Sequence, residues 1–127
     1  MNSTNQRLSL IIPCYNESDN LNALFNSLLE IDSNFYEIVF VNNGSSDNTK
    51  SVLINLIKND KSKYHLINID KNIGYGHGIM TGVKRSKGDI IAWTHADLQT
   101  HPKDVVNAFN IYIQNPDYEL RIQHNQS

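Results

Sequence analysis

The 127-residue chain is poor in several residue types, and each scarcity excludes a class of protein. It has one cysteine, Cys14, so no internal disulfide can form, which fits a reducing compartment. It has three prolines and six glycines, and 39% of its residues are hydrophobic, which indicates a globular fold and not a disordered chain. Neither sign of charge dominates, because the formal net charge is -2, so composition gives no case for binding nucleic acid.

Long apolar runs are also absent. No run approaches the ~20 residues that a helix needs to span a bilayer. Residues 1–7 form a polar tail that lacks the apolar core of a signal peptide. We therefore predict a cytoplasmic domain over residues 8–122, followed by a disordered end at residues 123–127. Peripheral association with the inner face of a membrane is compatible with this composition.

The sequence does contain short apolar runs that alternate with helical stripes. Strands are predicted at residues 8–12, 36–41, 65–69 and 89–94, with a short fifth at 118–122. Helices are predicted to begin at Ser18 or Asp19, at Ser46 or Asp47, near His77 and at Pro102. Pro13 is expected to stop the first strand. The alternation predicts an α/β fold, with a mostly parallel sheet of four or five strands flanked by helices.

The stretch from Gly88 to Gln99 carries the first candidate site. Its apolar run ends in Thr-His-Ala-Asp, and ligands of open α/β sheets bind beyond the carboxyl ends of the strands. His95 and Asp97 are two residues apart, so in an extended segment they point the same way. Together they could hold a hard divalent cation, or a phosphate through that cation. The alternative is that Asp97 only caps a turn or helix.

Other polar loops are predicted to reach the same edge. Tyr15 could stack on a base or ribose, and the amides of Asn42 and Asn43 could read a base edge; a rim residue and an ordinary Asn-Gly turn are the alternatives. The three glycines of residues 74–78 could form a phosphate loop or allow close helix packing. They do not form the G-x-G-x-x-G pattern after the first strand. The basic residues at 84–87 are predicted to be a solvated helix end.

Four motifs, taken in order, resemble the signatures of family-2 glycosyltransferases, which include the polyprenyl-phosphate sugar transferases. They are LIIPCYNE at residues 10–17, VNNGSSD at 41–47, NIGYGHG at 72–78 and GDIIAWTHADLQ at 88–99. The resemblance implies the Rossmann-like, nucleotide-binding half of a GT-A fold, with strand order 3-2-1-4. It also implies a UDP- or GDP-sugar donor, Mg²⁺ or Mn²⁺ on its diphosphate, and a polyprenyl phosphate or glycan as acceptor.

The same resemblance assigns roles to particular residues. The nucleotide-sugar-binding set would be Pro13, Tyr15, Glu17, Asn42, Asn72, Gly74 and Ala96, and the metal ligands would be Asp97 and His95. Two motifs depart from the family pattern. Asn42 and Asn43 stand where the family usually has two aspartates, and His95 replaces the first carboxylate of the Asp-x-Asp motif. An imidazole in that place softens the site and favours Mn²⁺ over Mg²⁺.

The acceptor half of the family is not found in the sequence. No acidic motif after Asp97 matches the region in which relatives carry their base, so no catalytic base is named. We expect the chain to be the N-terminal, donor-binding part of such an enzyme, truncated before the acceptor half and without detectable sugar transfer by itself. The alternatives are a non-catalytic nucleotide-sugar-binding module and an unrelated nucleotide-binding α/β domain.

Overall fold

A computed structural model describes residues 6–97 and 101–114 of the chain. Strands and helices alternate in the order β1 (Leu8–Cys14), α1 (Leu21–Ile31), β2 (Glu37–Asn43), α2 (Thr49–Ile57), β3 (Tyr64–Ile69), α3 (Tyr75–Arg85), β4 (Ile90–Trp93) and α4 (Pro102–Gln114). A short 3-10 turn, Asp32–Asn34, follows α1. No helix in this part of the chain is long and apolar enough to cross a membrane. The predicted fifth strand and the predicted disordered end lie outside the described residues.

The four strands form one parallel sheet in the order β3-β2-β1-β4. This confirms the predicted order. The central strand β1 pairs with β2 from Ser9 to Cys14 and with β4 from Leu8 to Ile11. The loops after β1, β2 and β4 therefore meet at one edge of the sheet, as the site prediction requires.

The alternation of side chains divides the core between the two faces of the sheet. On one face, even-numbered residues of β1 and β2 pack with leucines and valines of α1, α2 and α4. On the other face, Ile11, Val39 and Val41 form a smaller cluster, beneath α3. This parity decides which residues at the strand ends face α3.

Helix α3 approaches the sheet through glycines and not through its larger apolar side chains. Gly78 and Gly82 are its buried residues, whereas Met80 is 51% exposed. A Cβ added to Gly82 would lie 2.5 Å from Cγ2 of Ile11, and one added to Gly78 would lie 3.0 Å from Nδ2 of Asn43. Close packing of helix on sheet is therefore the use of Gly78.

Two local predictions need correction. Pro13 does not stop β1, which continues to Cys14. The backbone of Ile11 faces β4, since its carbonyl accepts from the amide of Thr94, and Pro13 faces the same side. Strand β4 ends at Trp93, which is opposite Ile11, so β4 has no residue opposite Pro13. The missing N–H of the proline therefore costs the sheet no hydrogen bond.

The second correction concerns helix starts. Helix α1 begins at Leu21, later than a cap at Ser18 or Asp19 would place its start. Its N-cap residue is Asn20, which makes no side-chain capping bond. Helix α2 begins at Thr49. Asp47 does satisfy the start of this helix, because its Oδ1 accepts from the amide of Thr49 at 2.9 Å.

Candidate functional site

A cleft of about 220 Å³ opens at the carboxyl ends of the strands. The residues that line it are Pro13, Cys14, Tyr15, Glu17, Asn43, Tyr75, His95 and Ala96. They come from the ends of β1 and β2, from the start of α3 and from the segment after β4. A ligand in this cleft would contact every loop that the sequence predicts to meet at this edge.

The structure brings five of the predicted site residues together. Pro13, Tyr15, Glu17, His95 and Ala96 all line the cleft. Tyr15 is 48% exposed, so its ring is available for stacking.

Asn72 and Gly74 do not line the cleft, but they are joined to it. The side-chain Oδ1 of Asn72 accepts from the amide of Gly74 at 2.9 Å. The carbonyl of Gly74 in turn accepts from Nδ2 of Asn43 at 3.2 Å. The segment after β3 therefore holds a residue of the cleft in place.

The expectation that Asn42 faces the same cleft as Tyr15 is wrong. Asn42 lines a separate depression, and its Nδ2 donates to Oδ1 of Asn68 at 3.0 Å. Asn43 lines the cleft instead. The reason is strand parity, since Asn43 shares the α3 side of the sheet with Val39 and Val41.

Asn43 leaves one hydrogen-bond acceptor unused. The residue is 2% exposed, and its Oδ1 has no partner in the structure. The bond from its Nδ2 to the Gly74 carbonyl fixes the orientation of the amide, because only the nitrogen can donate there. Leaving a buried acceptor unpaired costs about 1–3 kcal/mol. A ligand with an N–H or O–H donor would recover that cost where binding opens the cleft to this oxygen, which is closed to solvent in the structure.

An aromatic group forms the wall opposite Tyr15's loop. Tyr75 stacks on His95 with ring centroids 5.2 Å apart, and Trp93 meets both rings edge to face. The hydroxyl of Tyr75 lies 2.7 Å from Nδ1 of His95. The sequence analysis did not predict this contact, because 20 residues separate Tyr75 from His95. The sequence feature that could have drawn attention to Tyr75 is its place among the glycines of residues 74–78.

The surroundings of Tyr75 keep it protonated. Burial raises its pKa first, and the negative charges of Asp97 and of an ionised Cys14 raise the pKa further. Burial likewise raises the pKa of the Cys14 thiol, so this cysteine is neutral at physiological pH. Neither group is activated as a base or nucleophile.

The metal prediction is met only in part by the residues present. His95 lines the cleft, whereas Asp97 does not, because the extended segment bends at Ala96 and Asp97. Within residues 6–97 and 101–114, no three His, Cys, Asp or Glu side chains are grouped to hold a metal ion. A divalent cation takes about six ligands. His95 and Asp97 would therefore supply only part of such a ligand set.

The opposite, amino edge of the sheet has a larger depression, of about 310 Å³, but different chemistry. Glu37 is buried there, and its Oε2 accepts from Ser9 Oγ at 2.7 Å and from the amide of Lys87 at 2.6 Å. Ser9 Oγ accepts in turn from the amide of Gly88 at 2.9 Å. His65 Nε2 lies 3.6 Å from the other carboxylate oxygen. These polar groups satisfy one another's hydrogen-bonding capacity and link the amino ends of β1 and β2 to residues 87–88.

Sequence comparisons identify the relatives of the chain. The family model described as Glycosyl transferase family 2 matches residues 9–120. The chain is 36% identical over 99 residues to an uncharacterized glycosyltransferase, sll0501, of Synechocystis sp.. It is 32% identical over 108 residues to undecaprenyl-phosphate 4-deoxy-4-formamido-L-arabinose transferase of Yersinia pestis. These matches cover 76% and 83% of the chain but 31% and 33% of the relatives, so the chain spans about a third of their length.

Solved structures share the fold. A mannosyltransferase of Pyrobaculum calidifontis, in complex with GDP-Man and Mn²⁺, superposes with a TM-score of 0.74 at 22% identity, over 87% of this chain and 33% of that one. Glucosyl-3-phosphoglycerate synthase of Mycobacterium tuberculosis, with Mn²⁺, UDP and glucosyl-3-phosphoglycerate, gives 0.71 at 18% identity, over 86% and 40%. The parallel sheet with order 3-2-1-4 is thus that of GT-A glycosyltransferases. Because the family model spans most of the chain and the curated relatives agree with it, the chain belongs to glycosyl transferase family 2.

Proposed function

We propose that the cleft binds the nucleoside of an NDP-sugar and that the chain supplies the donor-binding part of a sugar transferase. The observation that carries this proposal is the unpaired, buried Oδ1 of Asn43 in a cleft that also presents the exposed ring of Tyr15. A nucleobase offers a flat face for stacking and a ring-edge N–H for the acceptor. Binding would recover the desolvation cost of that acceptor.

The chemistry of the acceptor favours particular bases. The Oδ1 of Asn43 can only accept, so it fits the ring N–H of uracil or guanine. Cytosine has an unprotonated ring nitrogen at the matching position and would leave two acceptors facing each other. We therefore expect UDP- and GDP-sugars to bind more tightly than CDP-sugars.

A divalent cation is the second part of the proposal. Asp97 and His95 would hold Mn²⁺ or Mg²⁺ together with oxygens of the diphosphate, and the cation would offset negative charge on the departing nucleotide. Two solved structures of the same fold are complexes with Mn²⁺ and a nucleotide or nucleotide-sugar, which supports this assignment. The imidazole of His95, a softer donor than a carboxylate, favours Mn²⁺.

The acceptor is the least constrained part. The relative from Yersinia pestis is named for transfer to undecaprenyl phosphate, and on that similarity we propose a polyprenyl phosphate as acceptor, with a glycan as the alternative. A lipid acceptor would place the working protein at the face of a membrane.

Nucleotide titration tests the proposal. UDP, GDP and CDP are titrated calorimetrically with and without Mn²⁺ into the chain and into two variants, Asn43→Ala and Asn42→Ala. We expect UDP or GDP to bind better than CDP, and Asn43→Ala to weaken binding about tenfold, the equivalent of one hydrogen bond. Asn42→Ala is the matched control and should bind like the unchanged chain. Equal affinity in the Asn43 variant, or a preference for CDP, would contradict the assignment.

A further inference from the structure

The side chain of Asn16 fastens the loop after β1 to the loop after β2. Its Oδ1 accepts from the amides of Ser46 at 2.8 Å and Asp47 at 3.2 Å. Its own amide donates to Oγ of Ser45 at 3.0 Å. Asn16 thus connects the loop that carries Tyr15 to the loop that follows Asn43, and this use of the residue lies outside every role that the family motifs suggested.

The backbone of Asn16 restricts what can stand there. It is the one residue other than glycine with a positive φ, 53°, in the described part of the chain. In this left-handed region most side chains are strained, whereas glycine, asparagine and aspartate are tolerated. Of these three, only asparagine and aspartate also carry an oxygen that can accept from the two amides.

The next two residues repeat the connection. The amide of Glu17 donates to Oγ1 of Thr49 at 2.9 Å, and Oγ of Ser18 donates to Oδ2 of Asp47 at 2.9 Å. Tyr15 comes directly before these fastened residues and makes no side-chain hydrogen bond within the described part of the chain. The backbone turn at Asn16 therefore sets the direction of the Cα–Cβ bond from which this ring extends.

We infer that Asn16 is a positioning residue of the nucleoside site: it holds the turn that presents Tyr15 to the cleft and keeps the loop that follows Asn43 in register with it. The inference rests on the proposed function for the identity of the ligand, but not for the geometry of the loop. It predicts that the loop can lose its alignment while the fold persists, since the core leucines of α1 and the sheet do not depend on Asn16.

Two variants separate the backbone turn from the side-chain bonds. Asn16→Gly keeps the left-handed turn and removes the acceptor, whereas Asn16→Asp keeps both. Asn34→Ala is the control, because it also removes a side-chain bond to the backbone, from Nδ2 to the carbonyl of Ile31, but at the opposite edge of the sheet. Each protein is studied by NMR with ¹³C-labelled tyrosine rings, by amide exchange and by titration with UDP and GDP.

We expect Asn16→Gly to shift the ring signals of Tyr15, to speed exchange at the amides of Ser46 and Asp47, and to weaken nucleotide binding about tenfold. Asn16→Asp should leave the Tyr15 ring signals at the positions seen in the unchanged chain. Its amide exchange rates and its nucleotide affinity should stay within about threefold of those of the unchanged chain. Asn34→Ala should lower the melting temperature without moving any of them.

The inference is overturned if Asn16→Gly melts at a lower temperature while the Tyr15 signals and the affinity stay unchanged, because the residue would then be only structural. It is also overturned if Asn16→Asp fails to restore the signals. If the unchanged chain binds neither UDP nor GDP, the proposed function fails. The Tyr15 signals and the two amide exchange rates then decide by themselves whether Asn16 positions the loop.

Discussion

The two edges of one sheet treat their buried polar groups in opposite ways. At the amino edge, the carboxylate of Glu37 is satisfied by Ser9 and by the backbone of Lys87. At the carboxyl edge, the three buried side-chain atoms without a partner among the described residues are Asn42 Oδ1, Asn43 Oδ1 and Thr94 Oγ1. A depression larger than the cleft lies at the amino edge, so size does not identify the site. Unused hydrogen-bonding capacity does distinguish the carboxyl edge from the amino edge, because a folded chain rarely leaves it without a use.

Removing the central group of the amino edge should have the largest effect on stability. Glu37→Ala leaves the hydroxyl of Ser9 and the amide of Lys87 without their shared acceptor. Because hydrogen bonds to a charged group contribute roughly 1.5–3 kcal/mol each, we expect a loss of about 4 kcal/mol in the free energy of unfolding, measured by urea denaturation. Glu30→Ala, an exposed carboxylate on α1, should cost less than about 0.5 kcal/mol. Equal costs would show that the two edges do not differ.

A pair of glycines compares how tightly the two edges are packed. A Cβ at Gly88 would lie 2.3 Å from Ser9 Oγ and 2.8 Å from the carbonyl of Arg7, whereas one at Gly76 would meet nothing within 4 Å. Gly88→Ala should therefore destabilise by about 2–3 kcal/mol. Gly76→Ala, in the first turn of α3, should be neutral or stabilise by up to about 1 kcal/mol. Thermal melts of the two variants measure this, and a Gly76 variant that melts as low as the Gly88 variant would contradict the comparison.

The carboxyl edge should respond to mutation in binding more than in stability. Asp97→Ala removes the carboxylate that we propose for the cation, so the increase in UDP affinity on adding Mn²⁺ should be lost, a change of about tenfold. Asp104→Ala, an exposed carboxylate in the first turn of α4, is the control and should keep the increase. Calorimetry in which both variants respond to Mn²⁺ like the unchanged chain would exclude this role for Asp97.

Alkaline titration gives the smallest expected difference between the edges. Burial raises the pKa of Tyr64, whose hydroxyl donates to Asp32, and burial raises the pKa of Tyr75. A tyrosine whose pKa is higher in the folded chain than in the unfolded chain stabilises the fold fully below the unfolded pKa of about 10. This stabilisation is lost as the pH rises further. The free energy of unfolding should thus begin to fall near pH 9, where the Cys14 thiol ionises in the unfolded chain but stays protonated in the fold, and should fall more steeply above about pH 10.

Phenylalanine variants show which edge contributes more to this loss. Tyr64→Phe should reduce the alkaline decline by up to about 1 kcal/mol for the first pH unit above 10. Tyr75→Phe should reduce it less, because Tyr75 is 43% exposed and water screens its interactions. Urea denaturation at each pH gives both slopes, and a steeper effect of the Tyr75 variant would reverse the assignment.

The fold could be predicted because its signals are local or general. Apolar runs such as Leu8–Cys14 and the helical stripe of α1 identify the elements, and the hand of β-α-β connections with the family motifs gives the strand order. The length of β1 could not be read in the same way. Whether Pro13 ends a strand depends on where the neighbouring strand stops, which is a tertiary fact.

Most of the predicted site residues come together in the structure, but Asn42 does not join them. Asn42 and Asn43 are equivalent in composition, and only the parity of β2 distinguishes them, so an error of one residue moves the side chain to the other face. The stacking of Tyr75 on His95 joins residues after different strands, and no periodicity reports such a contact. Asn16 escaped notice because its positive φ and its bonds to Ser46 and Asp47 exist only once both loops are folded.

The position of β4 beside β1 also determines when the cleft can form during folding. Contacts between β1 and β2 join residues that are near in the sequence, such as Ser9 and Glu37, which are 28 residues apart. Contacts on the β4 side of β1 join more distant residues, such as Arg7 and Asp89, which are 82 residues apart. Closing the longer loop costs more chain entropy, so β1, β2 and β3 can associate first, while the chain is still being synthesised. Such an intermediate has Tyr15 and Asn43 but not His95. Binding that needs both walls of the cleft therefore begins only when β4 has joined the sheet.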